Sequence, residues 1–223
     1  MLDAGREHSW WIFDIASELY GWFTAQSAWR ASCAQVASHL PPGAQLRIVD
    51  LGCGPGVSTF ELARASPSAV IIGLDRASQM LKQSQHRQRQ AGLGSRKIYW
   101  LRADAARLPF GSATVDAVTG HSFLYLVPDR PLVLAECLRV LRPSGRFVTM
   151  EPSEEPTNLR RVLGVSCDVR FLISIALWRP FSRVHGRFNV SSLCRTLERA
   201  GFANCRAEET VGGLGILAWA EKP

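Results

Sequence analysis

Strand-like runs alternating with helical stretches constrain this chain more than any other feature of its sequence. The runs are Leu46–Leu51, Ala69–Leu74, Lys97–Arg102, Val115–Thr119 and Arg146–Met150. Helical spacing fills Val57–Ala65, Ala77–Gln90 and Pro131–Leu141, the last closed by Pro143-Ser144-Gly145. A parallel strand pair needs a crossover of a dozen residues or more, usually a helix, so this order predicts a parallel sheet covered on both faces. The C-terminal end departs from the pattern. A helix over Ser191–Ala200 stops at Gly201, and two strands, Ala203–Val211 and Leu214–Ala220, follow with only Gly212-Gly213 between them. Two residues cannot make a crossover, so these strands must pair antiparallel. At the other end, residues 9–40 read as helix. Trp10, Phe13, Leu19 and Phe23 fall at helical spacing, and a second stretch from Ala25 to Leu40 stops at Pro41-Pro42-Gly43.

A length of 223 residues suits one medium domain. No apolar run approaches the roughly 20 residues of a membrane-spanning helix. The first residues lack the basic start, long apolar core and cleavage site of a signal peptide, so a cytoplasmic protein is expected. Six scattered cysteines include no C-x-x-C pair and no zinc spacing, so reduced thiols and no metal are expected. The net charge is +7, and all basic residues but Lys82, Lys97 and Lys222 are arginine. Such a balance fits nucleic acid, a membrane surface or an acidic substrate, and equally a mere arginine bias.

The first strand runs into Val49-Asp50-Leu51-Gly52-Cys53-Gly54-Pro55-Gly56. Glycines there allow a sharp turn and close approach to a ligand. The spacing is G-x-G-x-G, with Val57 where a dinucleotide fingerprint places its last glycine, and no Gly-Lys-Ser/Thr follows. The loop therefore matches neither NAD or FAD sites nor a P-loop. Asp75 ends the second strand, where a carboxylate can accept from two ribose hydroxyls or cap the helix that follows. Asp104 ends the third strand, placed to accept a proton from an adenine amine.

These stretches resemble the class I S-adenosylmethionine-dependent methyltransferases. The resemblance takes in Val49–Gly56, Gly73-Leu74-Asp75, Ala103-Asp104-Ala105 with Leu108-Pro109-Phe110, Asp116–Val118 and Glu136–Gly145. Ser144 stands where the family usually has glycine. The resemblance implies an α/β fold: a Rossmann-like, seven-stranded, mostly parallel sheet with an antiparallel C-terminal hairpin and helices on both faces. It implies S-adenosyl-L-methionine as cofactor, with Gly52, Gly54 and Gly56 along its methionine part, Asp75 on the ribose, and Asp104 with Ala105 at the adenine. Asp50, Cys53 and Arg76 are counted with this set. Met80 packs on the adenine edge or is an ordinary core residue.

The N-terminal stretch, through Ile12-Phe13-Asp14, Ala16, Tyr20 and Trp29-Arg30, is similar to the ubiquinone and menaquinone C-methyltransferases, which share the type 11 methyltransferase core. That likeness implies a segment closing over the cofactor, with Tyr20 against it. His121, after the fourth strand, departs from the group's small polar residue. It is a candidate catalytic base, or else a cofactor contact. One domain over 1–223 is expected, divided into a helical cap (1–43), a cofactor-binding core (44–152), an acceptor lid (153–189) and a closing helix with hairpin (190–223). The lid expectation rests on an apolar run, Phe171–Trp178, with arginines at a rim that could touch a membrane surface; the alternative is a core helix with a solvated basic face. The expected function is methyl transfer to a small, lipophilic acceptor. Two rivals stay open: a nucleic-acid methyltransferase, for which no base-reading motif or added domain is found, and a catalytically silent cofactor-binding scaffold.

Overall fold

The computed structural model describes residues 17–223, with side-chain surroundings from Gly21 onward. Strands β1 (Arg47–Leu51), β2 (Val70–Asp75), β3 (Lys97–Arg102), β4 (Val115–His121) and β5 (Leu141–Pro152) run parallel, and β7 (Gly215–Glu221) lies antiparallel between β5 and β6 (Ala203–Thr210). The seven strands of the described residues are ordered β3-β2-β1-β4-β5-β7-β6. The hairpin is thus antiparallel as expected, but its second strand is the one that joins the sheet, and β6 takes the edge.

Before the sheet come helices α1 (Ser17–Thr24) and α2 (Ser27–Ser38), broken where the Gln26 side chain accepts from the Ala28 N–H. The crossovers contain α3 (Val57–Ala65), α4 (Ser78–Gln90) and α5 (Arg130–Val140). Helices α6 (Leu159–Val165), α7 (Val169–His185) and α8 (Val190–Arg199) fill the run from β5 to β6. The strand after α5 begins at once on Leu141, and Pro143-Ser144-Gly145 bulges out of its register, with Ser144 at φ +63°.

Strand alternation sorts the core. Ile48 and its β4 partner Ala117 pack with Ala37, Phe60 and Leu62 from α2 and α3. Val49 and its partner Val118 face the other way, onto Val133, Leu134, Leu193 and Leu197 from α5 and α8. Both faces of β1 and β4 are therefore buried, as a period of two requires between two helical layers. The chain builds outward from β1 through β2 and β3, then reverses to β4 and β5. The reversal opens a crevice at the C-terminal ends of β1 and β4, where open α/β sheets bind ligands. No helix of the described residues is long and apolar enough to cross a membrane.

Candidate active site

Beneath the crevice lies a buried polar knot. Asp50 is inside β1, and its carboxylate accepts from the hydroxyls of Ser58 and Thr59, both at 2.6 Å, and Thr119 at 2.9 Å. Burial raises its pKa, and the three hydroxyl bonds pull it down. With its oxygens facing these hydroxyls, Asp50 lines neither cavity described below; it ties β1, β4 and the start of α3 together. Its expected place in the cofactor wall is corrected accordingly. Gly56 is corrected too. It sits at φ +90°, and a Cβ there would come within 2.9–3.0 Å of Phe60, Trp100 and Ser84. Its glycine character serves close packing under the loop. Gly52, at φ +61°, is different: a Cβ would stand 2.4 Å from the Phe123 ring on the cavity wall.

The first cavity, about 200 Å³, runs along the ends of β1, β2 and β3. Gly52, Gly54, Asp75, Arg76, Met80, Asp104, Ala105 and His121 all line it. Asp75 Oδ2 accepts from the Gly54 N–H at 2.8 Å and Oδ1 from the Ala77 N–H at 2.9 Å. One carboxylate thus holds the glycine loop against the start of α4 while facing the cavity. Asp104 lies at the half-exposed rim, with Oδ2 3.7 Å from Arg76. Met80 is buried and also on the wall. Cys53 lies deeper, its thiol pushed well up in pKa by burial. Tyr20 lies outside the residues whose side chains are described.

A second cavity, about 390 Å³, adjoins the first. The two share Gly52, Gly54, His121, Ser122 and Leu126. Its walls are aromatic: Phe23 from α1, Trp29 from α2, Tyr125, and Trp178 and Phe181 from α7. No lysine or arginine is among the described residues lining it. Trp29 holds this wall together. Its indole N–H donates to Ser174 Oγ of α7 at 2.8 Å, and its ring meets His121, Phe171 and Trp178 edge-on.

His121, where the cavities meet, bonds through Nε2 to Ser32 Oγ at 2.8 Å. Ser32 Oγ also lies 2.8 Å from the Trp29 carbonyl, so this hydroxyl ties the His121 ring to α2. Burial lowers the His121 pKa to about 4, so the ring is neutral at pH 7.

Sequence reasoning missed the support of this wall. Glu151, fully buried at the end of β5, accepts from the N–H groups of Leu124 at 2.8 Å and Tyr125 at 3.1 Å, and from Thr149 Oγ1 at 2.7 Å. A longer bond comes from the Phe123 N–H. Burial raises its pKa against these bonds. One carboxylate thereby fixes the turn after β4 that supplies Phe123, Tyr125 and Leu126 to the cavities. The available signal was an acid ending an otherwise apolar strand. A third correction concerns the arginines expected at the rim. Arg179 does not face a rim: it is buried and donates to the carbonyls of Ser153 and Glu155 and to Thr157 Oγ1.

An acid at β2 for a vicinal diol, an apolar slot at Met80 and Ala105 with an acid at its rim, and a glycine loop open to close approach fit an adenosine joined to an amino-acid chain. The parallel sheet with its reversed last strand is the architecture shared with Rossmann-like methyltransferases of known structure. Residues 49–149 match the model of a methyltransferase domain. The chain is 36% identical to a demethylmenaquinone methyltransferase of Lactococcus lactis over 132 residues, 59% of this chain and 50% of that protein. It thus spans about half the length of that relative. It is 25% identical to a trans-aconitate 2-methyltransferase of Deinococcus radiodurans over 198 residues, 85% of this chain and 73% of that one. In fold it is similar to the [4+2]-cyclase SpnF, with a TM-score of 0.74, 17% identity, and 98% and 97% of the two chains covered. A shared architecture leaves the chemistry open.

Proposed function

We propose that this chain transfers the methyl group of S-adenosylmethionine to a small, uncharged, lipophilic acceptor, such as a quinone precursor or another aromatic or isoprenoid metabolite. One observation carries this reading: an aromatic cavity without basic residues shares a wall with the cofactor cavity, at Gly52, Gly54, His121, Ser122 and Leu126. In this reading the adenosine occupies the first cavity and the sulfonium lies at the shared wall. Methyl transfer is an in-line displacement on an activated donor, so holding the acceptor in line supplies much of the rate. The apolar walls favour it, because the positive charge of the sulfonium is dispersed as it becomes a thioether. A neutral His121 can accept a proton from an acceptor hydroxyl or a methylated ring carbon. The name of the Lactococcus relative agrees with an aromatic acceptor. Trans-aconitate, with three carboxylates, calls for cationic partners that the described walls of this cavity do not supply.

The test uses methyl-labelled S-adenosylmethionine with the organic-soluble and aqueous fractions of a cell extract. Protein-dependent label in the organic phase, sharply reduced by Trp29→Ala, is the expected result. Label confined to small aqueous anions would sink the lipophilic assignment. Label in nuclease-sensitive material would favour the nucleic-acid reading, and cofactor binding with no turnover in any fraction would favour the silent scaffold.

A further inference from the structure

Helix α7 is apolar on two sides. Its buried side packs Phe171 and Ile175 into the core, with Ser174, Arg179 and Ser182 beside them. Its outer side is apolar: Val169, Ile173, Ala176, Leu177, Pro180 and Val184 recur at i, i+4, i+7, i+8, i+11 and i+15, and all are exposed. Val184 is 83% exposed and Leu177 59%. A surface helix ordinarily carries polar residues on the side away from the core, and a continuous exposed apolar stripe of this kind marks an interaction surface. Beside its first turn stands Trp22 of α1, half exposed, with the Arg170 guanidinium 5.7 Å from its ring centroid.

We infer that this outer face of α7 rests on an anionic lipid surface and delivers the acceptor from it. The inference rests on the lipophilic-acceptor reading for its purpose. Two further observations select the partner. First, charge: of the six arginines in residues 157–189, Arg179 is buried and Arg187 half-buried, Arg161 pairs with Glu209 and Arg170 with Asp168, which leaves Arg160 and Arg183 exposed. Arg183 lies on the apolar face itself and is exposed. Two copies of this chain meeting through that face would bring like charges together, whereas anionic headgroups complement it. Second, continuity: Leu177 belongs both to the exposed stripe and to the wall of the aromatic cavity, so the cavity opens where the stripe runs. At 17 residues α7 is about 25 Å long, and it would lie flat in the interface with Arg183 toward the headgroups.

The test is co-sedimentation of the whole chain with phosphatidylcholine vesicles with and without phosphatidylglycerol, alongside S-adenosylhomocysteine binding. Binding should require phosphatidylglycerol and weaken severalfold as salt rises from about 0.05 to about 0.2 M. Arg183→Gln should weaken it about fivefold, and Ile173→Glu with Val184→Glu at least about tenfold. All should leave the melting temperature and cofactor affinity in place. Loss of wild-type vesicle binding while organic-phase methylation persists would overturn this inference and leave the proposed function standing. Organic-phase labelling that fails while vesicle binding holds would sink the acceptor reading alone. A concentration-dependent dimer abolished by the Val184 substitution would assign the face to a second copy and overturn the lipid surface. Equal binding to vesicles without phosphatidylglycerol would remove the arginines from the argument and overturn it as stated.

Discussion

His121 sits where the two cavities meet, and its environment has a consequence for pH. Burial holds its folded pKa at about 4, below the ordinary histidine value of about 6.5. The unfolded chain therefore binds a proton that the folded chain refuses between those values. Stability from this group is fully present above about pH 6.5 and is lost as pH falls toward 4. The raised pKa values of Asp50 and Glu151 act in the opposite sense within an overlapping range. A difference measurement separates them. Denaturant unfolding of wild type and His121→Gln at pH 7 and pH 4.5 should show the variant losing roughly 2 kcal/mol less over that interval. Parallel acid limbs would mean that His121 is not held neutral by burial.

At the scale of elements, the chain leaving β5 and the turn after β4 are each held by one buried side chain that satisfies backbone. Glu151 gathers N–H groups of the turn, and Arg179 gathers the carbonyls of the chain leaving β5. Burial brings the Arg179 pKa down to about 10, still charged at neutral pH. Removing such a group strands its partners, which costs more than a surface pair returns. Arg179→Gln should therefore lower stability by roughly 2–4 kcal/mol, while Arg183→Gln on the exposed face should stay within about 0.5 kcal/mol. Thermal or urea unfolding of both variants reads this directly; equal effects would return Arg179 to the solvated face. Element packing also creates a neighbourhood invisible in the sequence: Cys194 of α8 and Cys205 of β6, distant in any spacing motif, bring their sulfurs to 2.8 Å as free thiols.

At the scale of the whole molecule, cofactor and fold are linked. Asp75 joins the glycine loop to α4 and faces the cavity, so a cofactor bridging these parts should stabilise all of them. S-Adenosylhomocysteine at about 100 times its dissociation constant should add about 2.7 kcal/mol to the wild type. Asp75→Ala should bind it about 10–100-fold more weakly and show correspondingly little stabilisation at the same concentration. Calorimetry and thermal unfolding together check this, and equal affinity in both proteins would remove Asp75 from the site.

Much of this architecture is written locally. The period of the apolar runs set the strands, the glycines and prolines set most of their ends, and two residues between the last strands forced an antiparallel pair. Asp75, Asp104 and Gly52 could be placed because strand ends in a parallel sheet meet at one edge. The destinations of buried polar groups were not legible. Asp50 and Gly56 turn into the support beneath the loop, Arg179 turns inward and Glu151 reaches back to the β4 turn. In each case the partner is far along the chain or on the opposite side of a strand, and residue spacing carries no record of it. The aromatic cavity is the clearest instance. Phe23, Trp29, Tyr125 and Trp178 lie on separate segments, and only the packing of α1, α2 and α7 against the ends of β1 and β4 brings them to one wall. Local periodicity fixes which elements form, because it depends on neighbours a few residues apart; the site's shape depends on contacts between elements, which tertiary packing alone decides.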